Sequence, residues 1–378
     1  MKKVSLVCCD DYGLSDVKEG LRRSVTNLGG FEPYVGKGEK VLLKVNLLMK
    51  KTPEEATTTH PAFVQALAEL LLEYGAKVLI ADSPGGLFTA SMLKGVYKAT
   101  GMEAVAAATG AELNWNVGSV EKKVTDGLLL KKFTATDYLN DVDKVISVSK
   151  LKTHGMMTFT GAVKNMFGIV PGVKKAEYHM NMPKHDDFAN ALIDICLCAN
   201  PVLSFMDGIV GMEGAGPSAG EPRKIGCILS SDSPYHLDKA AVGIINLNQT
   251  QVPTIAQSVK RGLCTGDLSD IDFVDGKISD FFVEDYVAPK ATDLLPKLPR
   301  PIMWFLLRFL QPRPVFDKKE CSGCADCARL CPAKIIEMRD NRPVAKLSEC
   351  IRCFCCQELC PKKAVSIFKP FLLRRISK

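Results

Sequence analysis

The chain is short of most features that mark a specialised protein. Of its 378 residues, 24% are charged and 47% hydrophobic, an ordinary balance that argues against disorder and for a soluble globular protein. No run of about eighteen apolar residues occurs, so no transmembrane segment is expected. The longest candidate, PIMWFLLRFL at 301–310, is too short and carries Arg308, so it reads as a helix packed between domains. No signal peptide precedes MKKVSLVCCD, which points to a cytoplasmic, reducing setting and away from a disulfide framework. No nucleic-acid-binding module is recognisable, so nucleic acid is not expected as a partner. Oligomeric state cannot be read from the sequence. Cysteine is sparse through residue 320: Cys8, Cys9, Cys196, Cys198, Cys227 and Cys264 lack ligand spacing and read as buried small hydrophobes.

The remaining nine cysteines crowd the far end. CSGCADCARLCP begins at Cys321, and CIRCFCCQELCP at Cys350 repeats its spacing. Each run is C-x2-C-x2-C-x3-C-P, the bacterial arrangement for cubane clusters, in which the fourth cysteine ligates the other cluster. Two [4Fe-4S] clusters are therefore expected. One would sit on Cys321, Cys324, Cys327 and Cys360, the other on Cys350, Cys353, Cys356 and Cys331. Zinc prefers two separated pairs of ligands to a triple with a fourth cysteine and proline. Cys355 is surplus and reads as a packed small side chain.

Length suits two domains. Strand-like runs at 4–9, 40–48, 77–83, 144–152, 202–212 and 224–232 alternate with helical patterns at 61–76, 89–108, 185–198 and 235–247. Continuous apolar strands alternating with helices imply an α/β domain with a mostly parallel sheet covered on both faces, over residues 1–290. A proline-rich linker and short apolar helix would follow at 291–314, then a small ferredoxin-like α+β domain at 315–370. From Lys297 onward, 18 Lys and Arg face 7 Asp and Glu, a net of +11 against −4 for the rest. Such a tail either offsets cluster charge or docks an acidic redox partner, flavodoxin- or ferredoxin-like.

Residues 147–188 hold three of the five histidines and show neither helical nor strand periodicity. Strand ends are where α/β proteins build sites. His60, His154, Lys164 and His179 are thus expected to converge as a catalytic pocket, with Lys44, Asn46, Asp82 and Ser83 nearby and Asp207 and Glu213 in a glycine-rich loop. Three imidazoles can bind a transition metal or act as acid and base, and a desolvated lysine can be a nucleophile or an anion clamp. A further metal or small-molecule ligand in this domain is expected on that ground. ADSPGG could open a helix whose free N–H groups bind an anion, although it lacks nucleotide-loop spacing. His185 and His236 read as structural.

The motifs LLKVNLL, TTHP, IADSPGG, KLKTH, TGAVKNMFGIVPG and MDGIVGMEGAGPSAG resemble the domain-of-unknown-function family 362, often fused to a ferredoxin domain. That resemblance implies an anaerobe-type iron–sulfur protein and settles no reaction. The stretch from His154 through TGAVKNMFGIVPGVKKAEYH is also similar to the lactate racemase family. By that likeness Lys164 matches the lysine that tethers a nickel-pincer nucleotide, and His154 and His179 match its flanking histidines. Val163 and Ala162 depart from that family's pattern, so the likeness implies shared ancestry of fold rather than a shared reaction. Three functions follow. The first is an iron–sulfur oxidoreductase whose clusters serve a pocket in the α/β domain. The others are an electron carrier whose large domain only binds a partner, and a metal- or cofactor-dependent enzyme with accessory clusters.

Overall fold

Strands that are apolar on both faces need cover on both, and the computed structural model, which describes residues 1–182, 184–289 and 312–368, supplies it. The main strands are β1 (Lys2–Cys8), β2 (Lys40–Val45), β3 (Lys77–Ala81) and β4 (Glu112–Leu113). After the hairpin β5 (Ser119–Lys123) and β6 (Lys132–Thr136) come β7 (Lys144–His154), β8 (Thr158–Thr160), β9 (Leu203–Glu213), β10 (Glu221–Ser231) and β11 (Ile271–Asp275). The sheet runs β11-β1-β10-β9-β7-β2-β3-β4, with β8 hydrogen-bonded to β7. Pairs along β9-β7-β2-β3-β4 and between β1 and β11 are parallel, while β10 is antiparallel to both β1 and β9. The sheet is mostly parallel, as the sequence implied.

Alternation along β2 shows how the two faces are filled. Val41, Leu43 and Val45 join the core formed with α1 (Leu14–Asn27), α2 (Pro61–Tyr74), α3 (Ala90–Ala99) and α4 (Met102–Thr109). Leu42 faces the other way, into the core with α7 (His185–Ala199). Before α7 the chain forms α5 (Ala162–Asn165) and α6 (Gly172–Asn181). Two more helices, α8 (Pro234–Ile244) and α9 (Pro253–Lys260), pack on the β1–β10 end of the sheet through Leu237, Ile244 and Ile255. Each such buried aliphatic side chain contributes about 1.5–3 kcal/mol.

Several elements differ from the sequence reading. The helical pattern over 89–108 is two helices, broken at Gly101, whose φ of +79° is left-handed. ADSPGG opens no helix; α3 starts later, at Ala90, capped by the Thr89 side chain. The aperiodic stretch after β7 contains α5 and α6, of four and ten residues, too short to declare a period. The linker from 290 to 311, with its apolar run, lies outside the described residues. Beyond it, residues 312–368 form two small sheets, β12 (Arg313–Phe316) with β15 (Val365–Phe368) and β13 (Ile336–Arg339) with β14 (Arg342–Ala345). Short helices at Asp326–Arg329 and Cys355–Glu358 accompany them.

Candidate functional site

The chain runs from β2 to β3 and β4 on one side, then returns to lay β7 on the other side of β2. A crevice opens at such a switch point, beyond the carboxyl ends of the parallel strands. Lys44, next to last in β2, is fully buried there, with Nζ 2.9 Å from Oδ1 of Asp82, the residue just after β3. Its ammonium also donates to Val45 O at 2.6 Å and Asn165 Oδ1 at 3.1 Å. Asp82 Oδ2 accepts the Leu47 N–H at 2.8 Å, so the carboxylate anchors the loop after β2 as well. From β7, Lys152 donates to Asn46 Oδ1 at 2.8 Å and Thr57 O at 2.6 Å. Burial, with Lys164 nearby, pushes the Lys152 ammonium down to about 7.

The opposite wall comes from α5 and α6. Asp238 of α8 accepts the first free N–H groups of α5, Ala162 at 2.6 Å and Val163 at 3.1 Å, which fixes where Lys164 projects. Lys164 makes no hydrogen bond or ion pair among the described residues, and its Nζ lies 5.8 Å from the centre of the Phe167 ring. Burial lowers its pKa, opposed by the negative charge of Glu358. Lys175 of α6 stands 5.9 Å from the same ring and donates to Ser83 O. Burial takes it to about 7, against the pull of Asp82. His179, one turn on, leans against Phe188 at 4.6 Å; burial and then Lys164 hold it near 3, a neutral ring.

The iron–sulfur module closes the crevice. Ser218 Oγ donates to Glu358 O at 2.6 Å, and a Cβ added to Gly85 would come 2.5 Å from Leu359 Cδ2. The glycine-rich loop after β9 thus seats the module, and its Pro217 also lines the crevice. His154 Nδ1 accepts the N–H groups of Met156 and Met157, both at 3.1 Å, which leaves the ring proton on Nε2. That nitrogen stands 3.2 Å from Glu358 Oε1 without hydrogen-bond alignment. Burial raises the Glu358 carboxyl and drives His154 well below its usual range. Between the two domains lies a cavity of about 240 Å³, lined by Lys44, Lys152, Lys164, Lys175, His179 and Glu358 among others, and by Cys331 and Cys355.

Two smaller cavities lie inside the module. One is lined by Cys321, Cys324, Cys327 and Cys360, the other by Cys331, Cys350, Cys353 and Cys356. Four thiols around a small space are the donor set a cubane takes, so these residues fit the group that the spacing implies. Among the described residues, no group of three or more His, Cys, Asp or Glu side chains is close enough to hold a single metal ion. The three-imidazole metal site is therefore not formed.

Comparison with known proteins finds matches in two separate stretches of the chain. The family described as "Domain of unknown function (DUF362)" matches residues 41–243, over half the chain, spanning β2 to α8. A thylakoid-associated protein of Synechocystis is 33% identical over 264 residues, 70% of this chain and 80% of its own. The chain belongs to the DUF362 family. This DUF362 protein also matches a "4Fe-4S dicluster domain" over residues 313–361, which makes it an iron–sulfur protein. Among solved structures, lactate racemase apoprotein from Thermoanaerobacterium thermosaccharolyticum is 13% identical with a TM-score of 0.39, covering 63% of this chain. A Thermotoga maritima protein is 18% identical with a TM-score of 0.33, covering 60% of this chain. The chain spans only 56% and 57% of those two chains.

Of the four residues expected to converge in this DUF362 protein, Lys164 and His179 line the cavity and His154 stands at its edge through Glu358. His60 does not line it. It caps α2, its Nδ1 accepting the Ala62 N–H at 3.2 Å, and stacks on Tyr12 at 3.6 Å. Tyr12 in turn belongs to a buried network with Lys150 and Asp207, each link 2.8 Å long. His60 is thus held by helix capping and stacking, which a histidine before proline can do as readily as catalysis. Glu213 accepts the Val287 N–H at 3.0 Å, and His236 bridges Ser233 and Asp270 as a structural residue. Sequence reasoning missed Asp238 and Glu358: the first sits inside an apolar helix, the second inside a cysteine run, and neither position signals its partner.

Proposed function

We propose that the protein exchanges electrons between an outside carrier and a small ligand held beneath the iron–sulfur module, with two [4Fe-4S] clusters supplying one-electron steps. The observation that carries this reading is the position of Cys331. It lines both the interdomain cavity and the four-cysteine cavity beside it, so ligand and ligating sulfur share a wall. Lys164 and Lys175 would bind the ligand, the Phe167 ring orienting both ammonium groups. Phe167 and Leu330 would exclude water from the far side. His154 holds an Nε2 proton towards Glu358, and so can share that proton with the raised carboxyl.

The basic tail favours an acidic carrier, and exposed thiolate clusters favour a reducing compartment such as the cytoplasm. The experiment is anaerobic purification of the full chain, with metal analysis and mass spectrometry of released small molecules. About eight irons per chain are expected, with a ligand retained by the wild type and lost from Lys164→Ala at unchanged cluster absorbance. No retained ligand, with normal electron exchange in the variant, would leave a plain electron carrier.

A further inference from the structure

The charges around the interdomain cavity do not balance. Lys44 is matched by Asp82 at 2.9 Å, and Arg329 from the module is committed to Asp326 at 2.5 Å and Cys324 O at 3.1 Å. That leaves the ammonium groups of Lys152, Lys164 and Lys175, with the exposed Lys334 of the module at the rim, facing one carboxylate, Glu358. Lys152 is fully buried and Lys164 and Lys175 are only partly exposed, and cations held away from water need a counter-charge. We propose that the cavity binds a small ligand carrying at least two negative charges on oxygen, clamped between Lys152, Lys164 and Lys175. This rests on reading the cavity as a ligand site and names the charge class of that ligand.

Three further observations point the same way. Ser83 Oγ and His179 Nδ1 are buried, line the cavity and have no hydrogen-bond partner among the described residues. A hydroxyl and a ring nitrogen can both donate to anionic oxygens. Gly168 and Gly172 bring backbone to the wall where a Cβ would strike Asp82 and the carbonyls of Pro84 and Gly86. Finally, the cavity of about 240 Å³ has room for an organic acid or a small phosphorylated compound. Lysines act as point charges and serve carboxylate or phosphate equally, so the shared chemistry is the dianion.

The test is titration calorimetry on the anaerobic, cluster-loaded full chain with malonate, inorganic phosphate and the neutral isostere malonamide. At least one dianion should bind and malonamide should not. Phosphate binding alone supports a phosphoryl ligand, and malonate binding alone supports a carboxylate ligand. Lys164→Gln and Lys175→Gln should each weaken binding at least tenfold, while Lys164→Arg, which keeps the charge, retains it. The proposal is overturned if neither dianion binds, if malonamide binds as well as malonate, or if Lys164→Gln binds unchanged in protein with wild-type cluster absorbance. A dianion that binds without altering the rate at which reduced protein is reoxidised would instead sink the electron-exchange reading and leave the anion site standing.

Discussion

Lys152 and Lys175 both sit near 7 because burial opposes their charge, and an anion between them should reverse that shift. A unit negative charge about 4 Å from an ammonium, at an effective dielectric of about 20, is worth about 4 kcal/mol. At about 1.36 kcal/mol per pKa unit, the bound-state value rises by about three units, to about 10. The sign follows. Above pH 7 the free protein holds these lysines neutral while the complex holds them charged, so binding takes up protons and weakens as pH rises. Between pH 6.5 and 9 malonate affinity should fall about a hundredfold for one responding lysine, and further if both respond. The other groups facing the cavity do not reverse this. Burial lowers Lys164 as well, ionisation of the raised Glu358 adds repulsion, Lys44 stays paired with Asp82, and the buried imidazoles remain neutral. Calorimetry in buffers of different ionisation enthalpy reads the proton uptake directly. A flat affinity across this range, or proton release, would refute the reasoning.

Lys44→Met leaves Asp82 buried without its partner and should cost about 3–5 kcal/mol in denaturant unfolding, whereas an exposed pair would cost under about 1 kcal/mol. Cys360→Ser should remove the cluster held mainly by the first cysteine run and leave about four irons, read by metal analysis and EPR. Loss confined to the second run's cluster would show that the two runs do not cross. Electron exchange with an acidic flavodoxin should slow as salt rises, because the net +11 of the last 82 residues is then screened. A stopped-flow rate that is flat in salt would show that the tail only offsets cluster charge.

The long strands and helices were legible because their burial is continuous. β7 is buried over ten consecutive residues and α2 carries an unbroken apolar stripe, and both lie close to where the sequence placed them. What escaped was short or relational. α5 is four residues held by a carboxylate 73 positions on from its last residue, and nothing local to either segment announces that contact. The cysteine spacing proposes crossed runs, and the two small cavities group the cysteines in the same two sets of four. The histidine cluster was over-read: His154 ends β7 and His60 follows the neighbouring β2, but His60 turns to cap its own helix. Lysine proved the better signal, since four of them stand where an α/β sheet places a ligand.

The roof over the crevice belongs to a segment that is itself built around metal. A small module of short strands and four-residue helices has little apolar core, and such modules commonly gain their order from the metal they bind. Cys331, Cys355, Glu358 and Leu359 would then take their places only after cluster maturation, and the lysines would be left open to solvent until it was complete. Freshly synthesised chain would carry a shallow basic trough instead of a roofed crevice, and oxygen damage to the cubanes would return it to that form. Affinity for the proposed anion would then gauge cofactor loading, and an immature or oxidised molecule would not hold it.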